Sequence, residues 1–264
     1  MTPGWWDGLL LGLVQGLTEF LPISSSGHLV LAEDLLGFTP PGLYFEVGLH
    51  VATLLSVVVA YWTRLRTLVR GMLEREGESW RYIGMLVLGS IPAAIAGIGF
   101  RDYFERSFES GIAIGVQFLV TAVVLWLTRP VLARATGTRI GPLTALGVGV
   151  AQAVAILPAI SRSGTTIAAA LWAGVAPKPA AEFSFLLSLI AIGGSGLLEI
   201  RHIPPGADLL SVGFVLAFFA ALVSGIWAIR FLVRVLQKGR FHTFAWYCAA
   251  IGILTIFRYA TRAG

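Results

Sequence analysis

Two short stretches of this chain combine residue types that an apolar sequence rarely contains without a chemical task. The first runs from Gln15 to His28 and holds Gln15, Glu19, Ser24, Ser25, Ser26, Gly27 and His28; the second runs from Gln152 to Thr166 and holds Ser161, Arg162, Ser163, Gly164, Thr165 and Thr166. Gln15 and Glu19 are four residues apart and share one helix face. A serine-glycine turn that opens a helix presents free N–H groups to an anion such as phosphate, which makes Ser24, Ser26 and Gly27 candidate phosphate contacts. Ser25 is the candidate nucleophile. His28, in the first helical turn, is placed to serve as base, acid or nucleophile, so the attacking group is Ser25, His28 or water. In the second stretch Arg162 carries a charge it cannot lose and grips phosphate through two N–H groups. Ser161, Ser163, Gly164 and Thr166 complete that second anion turn, although hydroxyls at these positions also serve as plain helix caps.

One electrostatic conflict points to a further component. A diphosphate would repel Glu19, so the two share a pocket only if the carboxyl is protonated or a divalent cation bridges them. Mg²⁺ or Ca²⁺ fits, with Glu19 and Gln15 as metal ligands. A pure ion pair between Arg162 and Glu19 is a poor use of a buried guanidinium, so anion contact is expected for Arg162. The single cysteine, Cys248, sits in an apolar run and reads as a core residue.

The elements that position these residues follow from composition. With 264 residues, 56% hydrophobic and 12% charged, the chain has too little polar surface to cover a water-soluble globule. The predicted class is an all-α polytopic membrane protein with about six spanning helices, near 43–62, 82–100, 112–128, 181–199, 209–229 and 242–260. Shorter apolar pieces, near 6–20 and 27–37 and near 141–156 and 164–175, are interrupted by Pro22 and Pro158 and read as two re-entrant helical hairpins. Trp5 and Trp6 read as interface anchors, and no secretory leader is evident at Met1–Leu13. The net charge of +5 is scattered among loops, which excludes a nucleic-acid stripe. Five basic residues in Arg64–Arg81, four in Arg129–Lys178 apart from Arg162 and four in Arg230–Arg240 mark one side as cytoplasmic; Arg101, Arg106, Arg201, Arg258 and Arg262 fall on the other.

The two stretches also match one another. Gly12-Leu-Val-Gln15 corresponds to Gly149-Val-Ala-Gln152, Leu21-Pro22 to Leu157-Pro158, and Ser24-Ser25-Ser26-Gly27 to Ser161-Arg162-Ser163-Gly164, with twelve residues from Gln to Gly in both. Each leads to a glutamate near the start of a long helix, Glu46 or Glu182. The chain thus reads as one transmembrane domain over residues 1–264, with repeat one at about 1–128 and repeat two at about 139–260, related by inverted topology with the hairpin tips meeting near the midplane.

These motifs resemble those of the undecaprenyl-diphosphate phosphatase family of the bacitracin-resistance type. Its first signature is matched by Gln15, Glu19, Pro22, Ser24, Ser25, Gly27 and His28, and its second by Pro158, Ser161, Arg162, Ser163 and Gly164, with Thr166 following. Ala159 replaces the motif glycine and Gln15 takes the amide alternative. The resemblance covers essentially the whole chain. It implies removal of the terminal phosphate from a polyprenyl diphosphate, recycling of the lipid carrier for peptidoglycan synthesis, bacitracin resistance when the protein is abundant, and an inner-membrane site facing the periplasm. The expected partners are the polyprenyl diphosphate and surrounding membrane lipids, with a homodimer left open and no nucleic acid. Gly- and Ala-rich stretches at Ala168–Gly174 and Ile190–Gly196 are expected to leave room for the prenyl chain. The alternative is a polyprenyl-phosphate flippase using the same inverted-repeat site.

Overall fold

A computed structural model of the chain describes residues 4–37, 43–100, 110–199 and 208–262. Arg101, Arg106 and Arg201, used above for orientation, lie outside the described residues. The chain is all-α. Hairpin one consists of α1 (Trp5–Phe20) and α2 (Ser25–Leu36); then come α3 (Leu43–Ala60), α4 (Trp62–Leu73), α5 (Gly77–Gly99) and α6 (Gly111–Trp126). Hairpin two is α7 (Pro142–Val154) and α8 (Arg162–Trp172), followed by α9 (Pro177–Glu199), α10 (Val212–Gln237) and α11 (Phe244–Arg262), the last entered through a 3-10 turn at Phe241–Thr243.

All six apolar stretches form helices. Among the described residues, α5, α10 and α11 with its preceding turn are long and apolar enough to cross a bilayer, and α3 and α4 together meet the same test as a bent pair. The exposed apolar side chains support a lipid-facing surface. Val51, Leu55 and Val59 on α3, and Ile112, Val116, Val120 and Val123 on α6, recur every three or four residues with their side chains uncovered.

α4 is an addition to the sequence expectation, which ended the span near residue 62 and left Arg64–Arg81 as a loop. The chain turns by 75° after Ala60 and continues as helix. Arg64, Arg66 and Arg70 hide that helix from a search for apolar runs, but Trp62, Val69 and Leu73 remain exposed along it. This is the composition of a helix lying in the membrane interface.

Close crossings of small residues hold the two halves of the chain together. Gly8, Gly12 and Gly16 form a ridge on α1, and a Cβ added at each would stand 2.1, 2.2 and 2.3 Å from the carbonyl oxygens of Gly213, Ala217 and Ala221 on α10. Gly149 on α7, the motif counterpart of Gly12, makes the same kind of crossing with α5, where its Cβ would lie 2.4 Å from the Gly89 carbonyl oxygen. α6 and α11 meet reciprocally, with Gly115 against the Gly252 carbonyl and Gly252 against the Gly115 carbonyl. Apolar burial contributes little to helix association within lipid, so this close backbone packing is the main attraction available. Of the stretch Ala168–Gly174, expected to leave room for a lipid chain, Ala168, Ala170 and Leu171 are packed in the core while Trp172, Ala173 and Gly174 are exposed.

A Gly12→Leu substitution should therefore force α1 off α10 and lower the melting temperature in detergent, at a cost of at least about 1–3 kcal/mol from overpacking. Gly147→Leu is the control: its Cβ would meet nothing within 4 Å, and no loss is expected.

Candidate active site

The site is built from the two helix breaks. Leu21 ends α1 in extended backbone (φ −65°, ψ 146°), the conformation favoured ahead of Pro22. Ser24 then takes φ 69°, a left-handed conformation unusual for a residue with a side chain. Contacts from both sides hold it there. Its hydroxyl accepts from the Gly27 N–H (3.4 Å) as the cap of α2 and donates to the Pro158 carbonyl in the opposite break (2.6 Å). In the other direction, Ser163 donates to the Leu21 carbonyl (3.1 Å). The two hairpin tips therefore satisfy each other's exposed backbone. Their glycines interlock as well, since a Cβ on Gly27 would stand 3.0 Å from Ala159 Cβ and one on Gly164 would stand 3.3 Å from Pro22 Cβ.

The remaining backbone groups of break two are satisfied by two residues that the sequence expectation omitted. The Gln117 side-chain oxygen accepts from the Ala159 N–H (2.9 Å). Thr121 donates to the Ala159 carbonyl (3.0 Å) and accepts from the Ser161 N–H (3.1 Å). Their signal was a polar pair four apart within the apolar run of α6, a pattern that in a membrane helix marks an inward-facing task.

At the meeting of the tips lies Glu19, 8% exposed, beside Gln15, which is fully buried. The Glu19 carboxylate accepts hydrogen bonds from Gln15 Nε2 (3.1 Å), from the Ser25 hydroxyl and from Arg162 Nη2. Three of the expected residues, one of them a fixed cation, thus converge on the carboxylate of a fourth. Arg162 pairs directly with Glu19, an ion pair the sequence reading ranked below anion contact: with both groups taken out of water, the guanidinium is the nearest charge able to balance the carboxylate. A cation is then not needed to neutralise Glu19 in this state, and among the described residues there is no group of three His, Cys, Asp or Glu side chains arranged to hold a metal. Among the described residues, five buried side-chain polar atoms nonetheless have no hydrogen-bond partner: Gln15 Oε1, Arg162 Nη1, both Gln152 Nε2 and Oε1, and His242 Nδ1. Such atoms are costly unless something satisfies them.

Other expected contacts have different partners. His28 does not bond to Ser25. Its Nδ1 donates to the Ser24 carbonyl (2.6 Å), which leaves Nε2 to accept from the Tyr247 hydroxyl (2.7 Å). Tyr247 stacks on the imidazole at 10° and was not anticipated, because nothing in the sequence links it to a residue 219 positions away. Ser161 caps α8 by accepting from the Gly164 N–H (3.1 Å). Thr166 faces away from the expected phosphate turn; it is fully buried, donates to the Arg162 carbonyl (2.7 Å) and pairs with the Ser184 hydroxyl (2.6 Å). Ser26 lies half-buried in the first turn of α2. Cys248 is buried as expected, with its thiol directed at the Pro22 carbonyl (3.6 Å).

Comparison with known proteins agrees with this architecture. Residues 8–254 match the family model described as bacitracin resistance protein BacA. An undecaprenyl-diphosphatase of Carboxydothermus hydrogenoformans is 39% identical over 254 residues, covering 94% of this chain and 95% of that protein. One from Desulfosudis oleivorans is 40% identical over 269 residues, covering 95% and 97%. Undecaprenyl-diphosphatase 1 of Bacillus cereus is 38% identical over 257 residues, covering 94% and 95%.

The buried pair gives a stability test. Arg162→Met alone should cost about 3–5 kcal/mol by leaving Glu19 charged and alone, whereas Arg162→Met combined with Glu19→Leu should recover much of that loss. Thermal unfolding in detergent reads both, and equal melting temperatures for wild type and the single variant would show that the pair is solvated.

Proposed function

The chain belongs to the bacitracin resistance protein BacA family, and we propose, from that membership and from the convergence of Ser25 and Arg162 on Glu19, that it hydrolyses undecaprenyl diphosphate to undecaprenyl phosphate and phosphate. The monophosphate is the lipid carrier used again in peptidoglycan synthesis, and its supply underlies resistance to bacitracin. The observation that carries this reading is the Ser25–Glu19–Arg162 cluster, in which a hydroxyl, a base and a fixed positive charge meet within an apolar body. Such a body suits a substrate that is itself a lipid. The hydrolase names of the relatives favour this reading over the flippase alternative.

The contacts suggest how the residues divide the work. Ser25 donates its proton toward Glu19, so the carboxylate is the group positioned to take that proton as Ser25 Oγ attacks the terminal phosphorus. The bond from phosphorus to the bridging oxygen breaks, and undecaprenyl phosphate leaves with the electron pair. The leaving phosphate takes the proton from Glu19, which then accepts one from water as that water attacks the phosphoserine. Phosphate departs and the proton returns to Ser25. Arg162 Nη1, free of protein partners, is the donor available to the phosphoryl oxygens throughout. When the diphosphate draws the guanidinium toward itself, Glu19 loses its charge partner and becomes the better proton acceptor. His28, held by Ser24 and Tyr247, fixes the turn that carries Ser25 and is placed less directly for proton transfer than Glu19 is.

Gln15 Oε1 and Glu19 are the oxygen donors suited to a divalent cation, and the partnerless state of Gln15 Oε1 supports that assignment. A bound Mg²⁺ or Ca²⁺ would supply charge neutralisation to the diphosphate. We place the opening of the chamber on the periplasmic side of the inner membrane, as the resemblance to the family implies.

In a phosphate-release assay with purified protein and undecaprenyl diphosphate in detergent, Ser25→Ala should lose at least about 10³-fold in turnover while the fold is kept. Arg162→Lys, which keeps the charge but loses the fork, should fall by about 10- to 100-fold. Full activity in Ser25→Ala would remove the serine from its role. EDTA should suppress phosphate release and added Mg²⁺ or Ca²⁺ should restore it; unchanged release in EDTA would exclude the cation.

A further inference from the structure

We propose that an apolar groove between the end of α1 and the start of α11 seats the part of the polyprenyl chain nearest the diphosphate, an inference that rests on the phosphatase reading above. The groove has a volume of about 380 Å³. Leu17, Leu21 and Ile23 from hairpin one form one wall, Phe244 and Tyr247 form the other, and Thr18 and Thr243 complete the lining.

Two hydrogen bonds tie the walls of the groove to the segments that carry the reaction centre, and Thr18 and Leu21 lie on either side of Glu19–Phe20 in sequence. The Leu21 carbonyl accepts from Ser163, one residue beyond Arg162. Tyr247, on the facing wall, donates to His28 three residues after Ser25. For a chain leaving a diphosphate held between Ser25 and Arg162, this groove is the adjoining apolar surface.

The lining also specifies the chemistry of the occupant. The Thr18 hydroxyl is already committed to the Val14 carbonyl (2.7 Å), and the Tyr247 hydroxyl to His28. What is left for a ligand is aliphatic and aromatic surface, which suits hydrocarbon and rejects a headgroup. Another cavity, about 550 Å³, has the opposite character, with Arg64, Arg81, Arg139, Glu78 and Glu182 in its wall. Within a bilayer a prenyl chain gains little by exchanging lipid contacts for protein contacts, since both are apolar. The groove acts through position: with the diphosphate anchored at one end, the chain has a high effective concentration there, and its seating fixes the angle at which the terminal phosphorus meets Ser25.

The test uses the full chain in nanodiscs with a polyprenyl diphosphate carrying a diazirine in its first isoprene units. After irradiation, adducts should map by mass spectrometry to Leu17–Ile23 and Thr243–Tyr247 and be competed by unlabelled polyprenyl diphosphate, not by phospholipid. Adducts elsewhere overturn the proposal. Phosphate release with adducts elsewhere overturns the groove alone; adducts in the groove without phosphate release keep the groove and overturn the phosphatase reading. A kinetic arm guards against misfolding. Leu17→Trp, and Thr243→Trp at the exposed rim, should each lower kcat/KM for undecaprenyl diphosphate by about 10- to 100-fold more than for inorganic diphosphate, which carries no prenyl chain. Equal losses for both substrates, or no loss for either, would overturn the groove.

Discussion

The structure depends on one constraint: backbone groups released by breaking a helix inside an apolar body must find partners there, since neither water nor lipid supplies them cheaply. The two breaks meet that constraint largely through each other. Ser24 reaches the Pro158 carbonyl and Ser163 reaches the Leu21 carbonyl, so neither hairpin tip is satisfied without its counterpart. Gln117 and Thr121 then cover what remains on the second break. This explains why the hydroxyls of the serine turns that were candidates for phosphate contact are partly used for structure. It also explains how a non-glycine residue, Ser24, is held at φ 69° beside Ser25.

For the tips to meet, the helices behind them must approach closely, and the glycine ridges serve that need. Gly8, Gly12 and Gly16 bring α1 against α10, and Gly149 brings α7 against α5. Each hairpin is thereby clamped to a helix from the other half of the chain. The lateral position of Glu19 is set by α1 and that of Arg162 by α8, and the clamps bring both to one point. Asp34 adds a tie at the far end of α2, pairing with Arg258 and Arg262 at the end of α11 (2.8 Å each).

Much of this was legible in the sequence, for a physical reason: Glu19, Ser25 and Arg162 are residues that an apolar chain keeps near its centre only with partners, and the paired prolines with serine turns mark where helices must break. Partner choice was not legible. Glu19 and Arg162 lie 143 residues apart, and only their placement on opposed tips makes the ion pair the lowest-cost arrangement. Tyr247 was invisible for the same reason, one more tyrosine on an apolar helix until α11 is folded against α2. α4 was missed because its three arginines break the apolar run from which spans are read, although they suit a helix lying at an interface.

The matched hairpins also explain how asymmetric chemistry comes from a repeated plan. With the two motifs aligned from Gln to Gly, Ser24 and Ser161 coincide and both cap the helix that follows. Gly27 and Gly164 coincide and each packs on the opposite break. These positions carry the scaffold and are kept alike. Ser25 coincides with Arg162, and the two differ, yet both donate to the same Glu19 carboxylate. Glu19 itself coincides with Ile156, so only one hairpin brings a carboxylate. One position of the repeat thus brings a hydroxyl, its counterpart brings a guanidinium, and Glu19 is held between them.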